Sequence, residues 1–296
     1  MKTKLKTIIF VCNNKGGIGK STTAGFVGDA LHALGYTVLF LSGDKTSNLA
    51  LRQLHPTKHY DIKDSVSMDE AMHTAMGAEK DIVIFDLPGF SSDTVAAYFA
   101  EQDYQTFRDA GLRFVAAIVA TQHKDSVAGG IEWIETFLEN AEPIIFANGQ
   151  KTPDGEAIDL SKINGGSDLI DIADGRIVEV PKFSPRMMKQ YNEHPAVPSS
   201  YLPNGEAGKK LGLNMLSASP WRKLHTHVMR SLSEHAEWLV GKPIPKPFDL
   251  PESGIATLGT NAALERLKSK YKDAMTDNTD DQHLPAVATN KLKSNE

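Results

Sequence analysis

The segment Lys15-Gly16-Gly17-Ile18-Gly19-Lys20-Ser21-Thr22 lies between the apolar run Thr7–Val11 and the helix-forming stretch Thr23–Leu31. A glycine-rich loop between a strand and a helix is suited to a polyphosphate. Backbone N–H groups of the loop and of the first helical turn converge on it, Lys20 adds a mobile point charge, and the Ser21 hydroxyl is a ligand for Mg²⁺. Asn14 stands where such loops commonly begin with glycine, and asparagine tolerates the positive φ that this position would call for. Asp86 ends the apolar run Asp81–Phe85 and is followed by Leu87-Pro88-Gly89. A carboxylate there would hold Mg²⁺ through water, and Gly89 would let its loop respond to a terminal phosphate; an ordinary strand-to-turn sequence has the same form.

Lys15, ahead of the glycines, is a cation that ordinary loops of this kind do without. With it the motif resembles the deviant Walker A P-loop ATPases of the ParA/MinD type, the plasmid partition and stability proteins (StbB/ParA-like) among them. The resemblance extends over about residues 5–240, and the eight-residue loop is its specific part. It implies a Mg²⁺-dependent ATPase that converts ATP to ADP and phosphate, and a homodimer with ATP in which Lys15 reaches the nucleotide bound by the partner. Catalytic roles would then fall to Lys15, Lys20 and Asp44. The nucleotide would be bound by Lys15, Gly16, Gly17, Ile18, Gly19, Lys20, Ser21, Thr22, Asp86, Asn148 and Pro181, and the metal by Ser21 and, through water, Asp86.

Two of those assignments carry an alternative. Leu41 to Asn48 occupies the family's switch I, where Asp44 would orient the attacking water. Ser42 replaces the first aspartate of that pattern and Lys45-Thr46 replaces Pro-Gln, which bears on hydrolysis, and Asp44 is equally suited to capping a short helix around residues 46–54. Asn148 ends the strand Ile144–Ala147 where relatives commonly recognise adenine, with the backbone near Pro181 across the pocket, yet asparagine at a strand end is also a common loop residue.

The elements that must position these residues alternate in type. Strands are predicted at 7–11, 36–41, 81–86, 112–120, 144–147 and 176–181, with helices between them at about 23–34, from Ser67 at a capping-box sequence, and over 93–110 and 124–140. That is an α/β protein with a doubly wound, mainly parallel sheet, a P-loop NTPase of SIMIBI type by resemblance, and it places the site at the carboxyl ends of the strands. A short helix is expected after Pro185, an irregular stretch at 196–216 and a long helix over 220–240. The reading is an ATPase domain at 1–241 and, at 242–296, a Pro-rich linker, a short helix Asn261–Ala274 and a disordered polar tail.

At 296 residues with 41% hydrophobic content, the chain can bury a substantial core. No apolar run approaches the ~20 residues that span a bilayer, and the N-terminus leads into a strand rather than a signal-peptide core, so a cytoplasmic location is expected. The single Cys12 allows no internal disulfide and no CxxC pair, which excludes the iron–sulfur relatives of this loop. His194, His225 and His227 lack metal-like partners.

Charge is uneven. Residues 1–175 carry 15 Lys+Arg against 24 Asp+Glu, and residues 176–230 carry 9 against 3. A basic stretch on an acidic protein suggests a polyanion-facing surface, and Arg186, Lys189, Lys209, Lys210, Arg222, Lys223 and Arg230 would form a non-specific DNA interface; singly, each is also an ordinary solvated cation. The leading expectation is an ATP-dependent dimerising switch with slow hydrolysis in plasmid or DNA partition, nucleoid-associated if it binds DNA and working with a partner protein that stimulates hydrolysis or adapts the cargo. Two alternatives remain: a MinD-like membrane-associated ATPase using the face Leu264, Leu267, Tyr271 and Ala274, and a metabolic ATP-dependent ligase or kinase on the same fold.

Overall fold

Runs rich in Ile, Val, Phe and Ala with few charges make strands that are buried on both faces, and such strands pair in parallel under covering helices. The computed structural model describes residues 5–43, 58–89, 91–137, 140–151 and 158–245. Among them, seven strands form one sheet: β1 (Lys6–Cys12), β2 (Val38–Ser42), β3 (Lys58–His59), β4 (Ile82–Asp86), β5 (Leu112–Ala120), β6 (Glu142–Asn148) and β7 (Ile177–Val180). Their order is β3-β2-β4-β1-β5-β6-β7, and every neighbouring pair is parallel. The chain runs from β1 out to β2 and β3, returns through β4, and then continues on the other side of β1. The direction of winding reverses at β1, so the loop after β1 opens into the crevice where such sheets bind ligands.

The helices are α1 (Lys20–Ala33), α2 (Ser65–Gly77), α3 (Ser92–Ala100), α4 (Tyr104–Asp109), α5 (Lys124–Phe137), α6 (Gly166–Ile172), α7 (Pro185–Glu193), α8 (Glu206–Lys210) and α9 (Ser219–Val240). Alternate strand residues face two cores. Ile9, Val11, Ile84, Val115 and Val119 point into the layer built by α1, α7, α8 and α9. Ile8, Phe10, Val83, Phe85 and Phe114 point into the layer built by α2 to α6. Phe10 is the hub of the second layer, with ring contacts to Phe85, Phe99, Phe114 and Phe137 at 5.6–6.0 Å.

Several boundaries differ from expectation for local reasons. Helix α2 starts ahead of Ser67, because Asp64 is the cap: its carboxylate accepts from the Ser67 N–H at 2.9 Å and the Ser67 hydroxyl closes the box. The single helix expected over 93–110 is two, since Asp103 caps a new start by accepting from the Gln105 N–H. Strand β2 begins at Val38, because Thr37 is occupied by the Asp81 carboxylate through its N–H and its hydroxyl. The stretch 196–216 contains a 3₁₀ turn, Pro198–Tyr201, and α8. The short β3 and α6 were not anticipated.

The chain divides into the units Met1–Phe248 and Asp249–Glu296, and the described residues all belong to the first. Lys242 is tied to the body of that unit: its ammonium lies 3.0 Å from Asp81 and its carbonyl accepts from the Tyr36 hydroxyl at 3.0 Å. The expected helix Asn261–Ala274, with Leu264, Leu267 and Tyr271, and the tail lie outside the described residues.

Helix α1 lies close on β2 because Gly28 has no side chain. A Cβ there would fall 2.0 Å from Cζ of the buried Phe40. Gly28→Ala is therefore expected to overpack this contact and cost about 1–3 kcal/mol, measured by urea unfolding; an unchanged midpoint would show that the layer has slack.

Candidate functional site

The loop between β1 and α1 is held from below by a side chain whose role the sequence did not reveal. Asn13 is fully buried, and its amide donates to the carbonyls of Val119 (2.9 Å) and Ser126 (2.7 Å), while its Oδ1 accepts from the Lys15 N–H at 2.7 Å. One side chain thus ties the end of β1 to β5 and to α5. Helix α5 comes this close because Gly129 faces Asn13: a Cβ at Gly129 would sit 2.8 Å from Asn13 Oδ1. The loop's left-handed residues are Gly17 (φ 70) and Gly19 (φ 86), and the only non-glycine residue with positive φ among those described is Asp174. Asn14 therefore does not use its tolerance of positive φ, because the reversal is carried by the two glycines. Ile18, between them, is buried and pins the tip into the core.

The two lysines have different surroundings. Lys20 opens α1, is 9% exposed, and donates to the Lys15 carbonyl at 3.1 Å, within its own loop. Lys15 points outward, its side chain 44% exposed, and its ammonium lies 3.2 Å from the Asp125 carboxylate at the start of α5. That contact first, and then His123 and Lys124, hold the Asp125 carboxyl below the usual range. Neither Asp125 nor His123 was singled out by sequence, since each lies 110 or so residues from the loop in an ordinary polar stretch.

Asp86 is the last residue of β4, in register beside Val11, and is 1% exposed. The turn after it covers the loop: a Cβ at Gly89 would come within 3.7 Å of Lys20 Nζ and 3.9 Å of Gly16 Cα. Ser21 and Thr22 follow Lys20 in the first turn of α1. A hydroxyl and a carboxylate beside a cationic loop are the hard oxygen donors that Mg²⁺ takes, and the left-handed glycines open a cradle of N–H groups for phosphate, so these residues fit both groups. Asp44, Lys45 and Thr46 lie outside the described residues.

Beside the loop lies a cavity of about 180 Å³, bounded on one side by Gly17 to Gly19 and Thr22, and on the other by Phe183, Met188 and Tyr191. The Tyr191 hydroxyl meets the Thr22 hydroxyl at 3.2 Å, and burial raises the Tyr191 pKa, so the phenol stays protonated. Asn148 lines this cavity with its amide engaged: Nδ2 donates to the Ile18 carbonyl at 2.7 Å and Oδ1 accepts from the Gln150 N–H at 3.1 Å. It thus braces the glycine loop. The Pro181 carbonyl accepts from Gln150 Nε2 at 3.0 Å. Gln150, Phe183, Met188, Tyr191 and Asn192 are the cavity residues that sequence reading did not assign to the site.

Of the predicted cations, all seven are exposed, on α7 (Arg186, Lys189), α8 (Lys209, Lys210) and α9 (Arg222, Lys223, Arg230). Lys189 and Lys210 pair within their helices with Glu193 and Glu206, whereas Arg186, Lys209, Lys223 and Arg230 make no ion pair among the described residues. His225 is partly buried beside Asp29 at 3.4 Å, where desolvation lowers its pKa, and Asp29 also accepts from the N–H and hydroxyl of Ser199. This group joins α1, the 3₁₀ turn and α9. Cys12 is buried, which pushes its thiol pKa up, and it is a packing residue. No described helix is long and apolar enough to cross a membrane.

No protein-family model matches the sequence, and no curated protein matches it. In fold the chain is similar to solved structures of MinD and ParA-family ATPases. The MinD cell division protein of Aquifex aeolicus aligns over 81% of this chain and 99% of its own, at 16% identity and a TM-score of 0.49. MinD from Pyrococcus horikoshii OT3, complexed with Mg-ADP, aligns over 76% and 96% at 16% identity and TM-score 0.46. A ParA family ATPase from Chlorobium tepidum TLS aligns over 74% and 97% at 14% identity and TM-score 0.44.

Removing the brace beneath the loop should affect stability and phosphate binding together. Asn13→Ala removes the side-chain donor to the buried Val119 and Ser126 carbonyls, so a loss of about 1–3 kcal/mol in chemical unfolding is expected, with weaker binding of any polyphosphate the loop takes. Loss of stability with unchanged affinity would show that the loop keeps its shape without Asn13.

Proposed function

We propose that this protein is an ATP-driven dimerising switch, a slow ATPase whose closed form presents a basic surface to DNA. The observation that carries this reading is the division of labour between the lysines. Lys20 is turned into the loop, where it would neutralise the phosphates bound by its own chain. Lys15 is turned out of it, half-exposed, and among the described residues its ammonium pairs with the exposed Asp125. A cation in that position is poorly placed for its own loop's ligand and free to serve one held by a second copy. Exchange of Asp125 for a partner's phosphate would make the dimer depend on bound nucleotide, since anything that binds only the closed state stabilises it.

Within one subunit, Ser21 and Asp86 would hold Mg²⁺, which supplies charge neutralisation to phosphoryl transfer. The buried position of Asp86 keeps its carboxylate fixed, and Gly89 against Lys20 and Gly16 places the following turn where the end of a polyphosphate chain would lie. Asp44 is proposed to orient the attacking water. The dimer, plasmid or DNA partition as the process, and a partner protein as cargo adaptor or activator all belong to this same reading.

The surface proposed for DNA centres on α9. Arg222, Lys223 and Arg230 share its solvent face, because residues one and eight apart fall within about 100° on a helix, while Trp221, Leu224, Val228 and Leu232 turn inward. Helices α7 and α9 are locked together by the Trp221 indole N–H, which donates to Gln190 at 2.7 Å, so the cations of both elements are held on a common layer. Phosphate contacts of this kind give sequence-independent, salt-sensitive binding.

Light scattering coupled to size exclusion tests the switch. Wild type should be dimeric only with a non-hydrolysable ATP analogue, Lys15→Ala should bind the analogue and remain monomeric, and Lys20→Ala should lose productive binding. Normal analogue-dependent dimers of Lys15→Ala would sink the reading. For the surface, Arg222→Glu with Arg230→Glu should weaken duplex DNA binding at least tenfold and flatten its dependence on salt; unaltered binding would remove DNA from this face.

A further inference from the structure

Gln150 lays its carboxamide across the wall of the cavity beside the loop. Its Nε2 donates to the Pro181 carbonyl at 3.0 Å and its Oε1 accepts from the Phe183 N–H at 3.3 Å. Positions i and i+2 of an extended segment turn their C=O and N–H to the same edge. Pro181 and Phe183 therefore make an acceptor and a donor side by side, open to any planar group that offers a donor next to an acceptor. A carboxamide is one such group. The Watson–Crick edge of adenine is another, with the N6 amino group beside N1, in the same order and at nearly the same spacing. Guanine offers the reverse, O6 beside N1–H, and would set acceptor against acceptor.

The surroundings suit a purine. The cavity adjoins the glycine loop, and Phe183, Met188 and Tyr191 give it an apolar lining for a flat ring. The Gln150 side chain reaches the wall because its own turn lies hard against it: a Cβ at Gly149 would come 2.9 Å from the Lys182 nitrogen and 3.2 Å from the Val180 carbonyl. Its main chain is anchored separately, by the Gln150 N–H donating to Asn148 Oδ1, so the side chain can leave without the turn moving.

We propose that Gln150 is an internal stand-in for the adenine edge: it occupies the Pro181–Phe183 pair and must swing away before adenine can make the same two hydrogen bonds. This rests on the reading of the loop as an ATP site with its base held beside Pro181, and it adds one property to that reading. Gln150 competes with the base, lowering the apparent affinity by the fraction of molecules in which the pair is covered. Release of nucleotide is helped by the same side chain, which re-covers both groups so that neither is left bare in the wall.

A purely structural Gln150, tying its turn to the end of β7, predicts the opposite response to truncation, and this makes the test decisive. Calorimetric titration of the full chain with Mg-ADP and Mg-GDP is to be run on wild type, Gln150→Ala and Gln150→Leu. ADP is expected to bind about 3- to 30-fold tighter to both variants, with GDP at least tenfold weaker than ADP throughout. Equal or weaker ADP binding by either folded variant, or GDP binding as well as ADP, overturns the proposal. A measurement on wild type alone covers the case in which the variants fail to fold. The Gln150 side-chain amide protons should exchange slowly with water in the protein by itself and quickly with ADP bound; slow exchange in both overturns the proposal while leaving the ATP site intact. Failure of wild type to bind either nucleotide would overturn the ATP reading and this inference with it.

Discussion

The carboxyl edge of a parallel sheet presents backbone carbonyls that have no further strand to pair with, and whatever satisfies them fixes what can be built there. In this protein asparagine side chains serve the end of β5 and also reach the neighbouring helix α5 and the glycine loop. Asn13 donates to the carbonyls of Val119 and Ser126, and Asn148 donates to that of Ile18 inside the glycine loop. Both are buried. Leaving such an acceptor unsatisfied costs about 1–3 kcal/mol, so the two amides favour the loop's observed shape. Their placement follows from the sheet order: β1 lies between β4 and β5, and β6 comes next, so the ends of β1, β5 and β6 are close enough for one side chain to span.

Charge is then distributed over that fixed frame by burial. Lys20 is inside and hydrogen-bonded to the loop's own backbone, while Lys15 is outside and balanced by a surface carboxylate. An exposed pair of this kind is worth little and is easily exchanged. The buried lysine has no such freedom.

The cavity and the basic helices share a core. Tyr191 touches Thr22 of the loop helix and packs edge-on to Phe183; Phe183 packs on Trp221 of α9, and Trp221 stacks on Tyr201 at 3.7 Å and 6°. This aromatic series connects the first turn of α1 to the helices that carry Arg222, Lys223 and Arg230. The Asp29–His225–Ser199 group makes a second, polar connection between α1 and α9.

The glycine loop, its flanking strand and helix, the long helix ending at Val240 and the strand Leu112–Ala120 were legible in the sequence, because each depends on local chemistry: φ freedom, period of apolar residues, or a run of β-branched side chains. The α/β class followed from their alternation. Boundaries set by a side chain from elsewhere were not legible: Asp81 trims β2 across 44 residues of sequence, and Asp103 splits a helix that its apolar pattern alone would have continued. The same division holds at the site. Sequence alone singled out the loop residues as candidates for phosphate and Lys15 as a cation beyond those an ordinary loop carries. Only the tertiary structure decided that Asn13 and Asn148 are braces, that Lys15 faces Asp125, and that Gln150 covers a backbone pair at 181 and 183. Those are contacts between segments far apart in the chain, and they exist only once a parallel sheet has brought its strand ends to one edge.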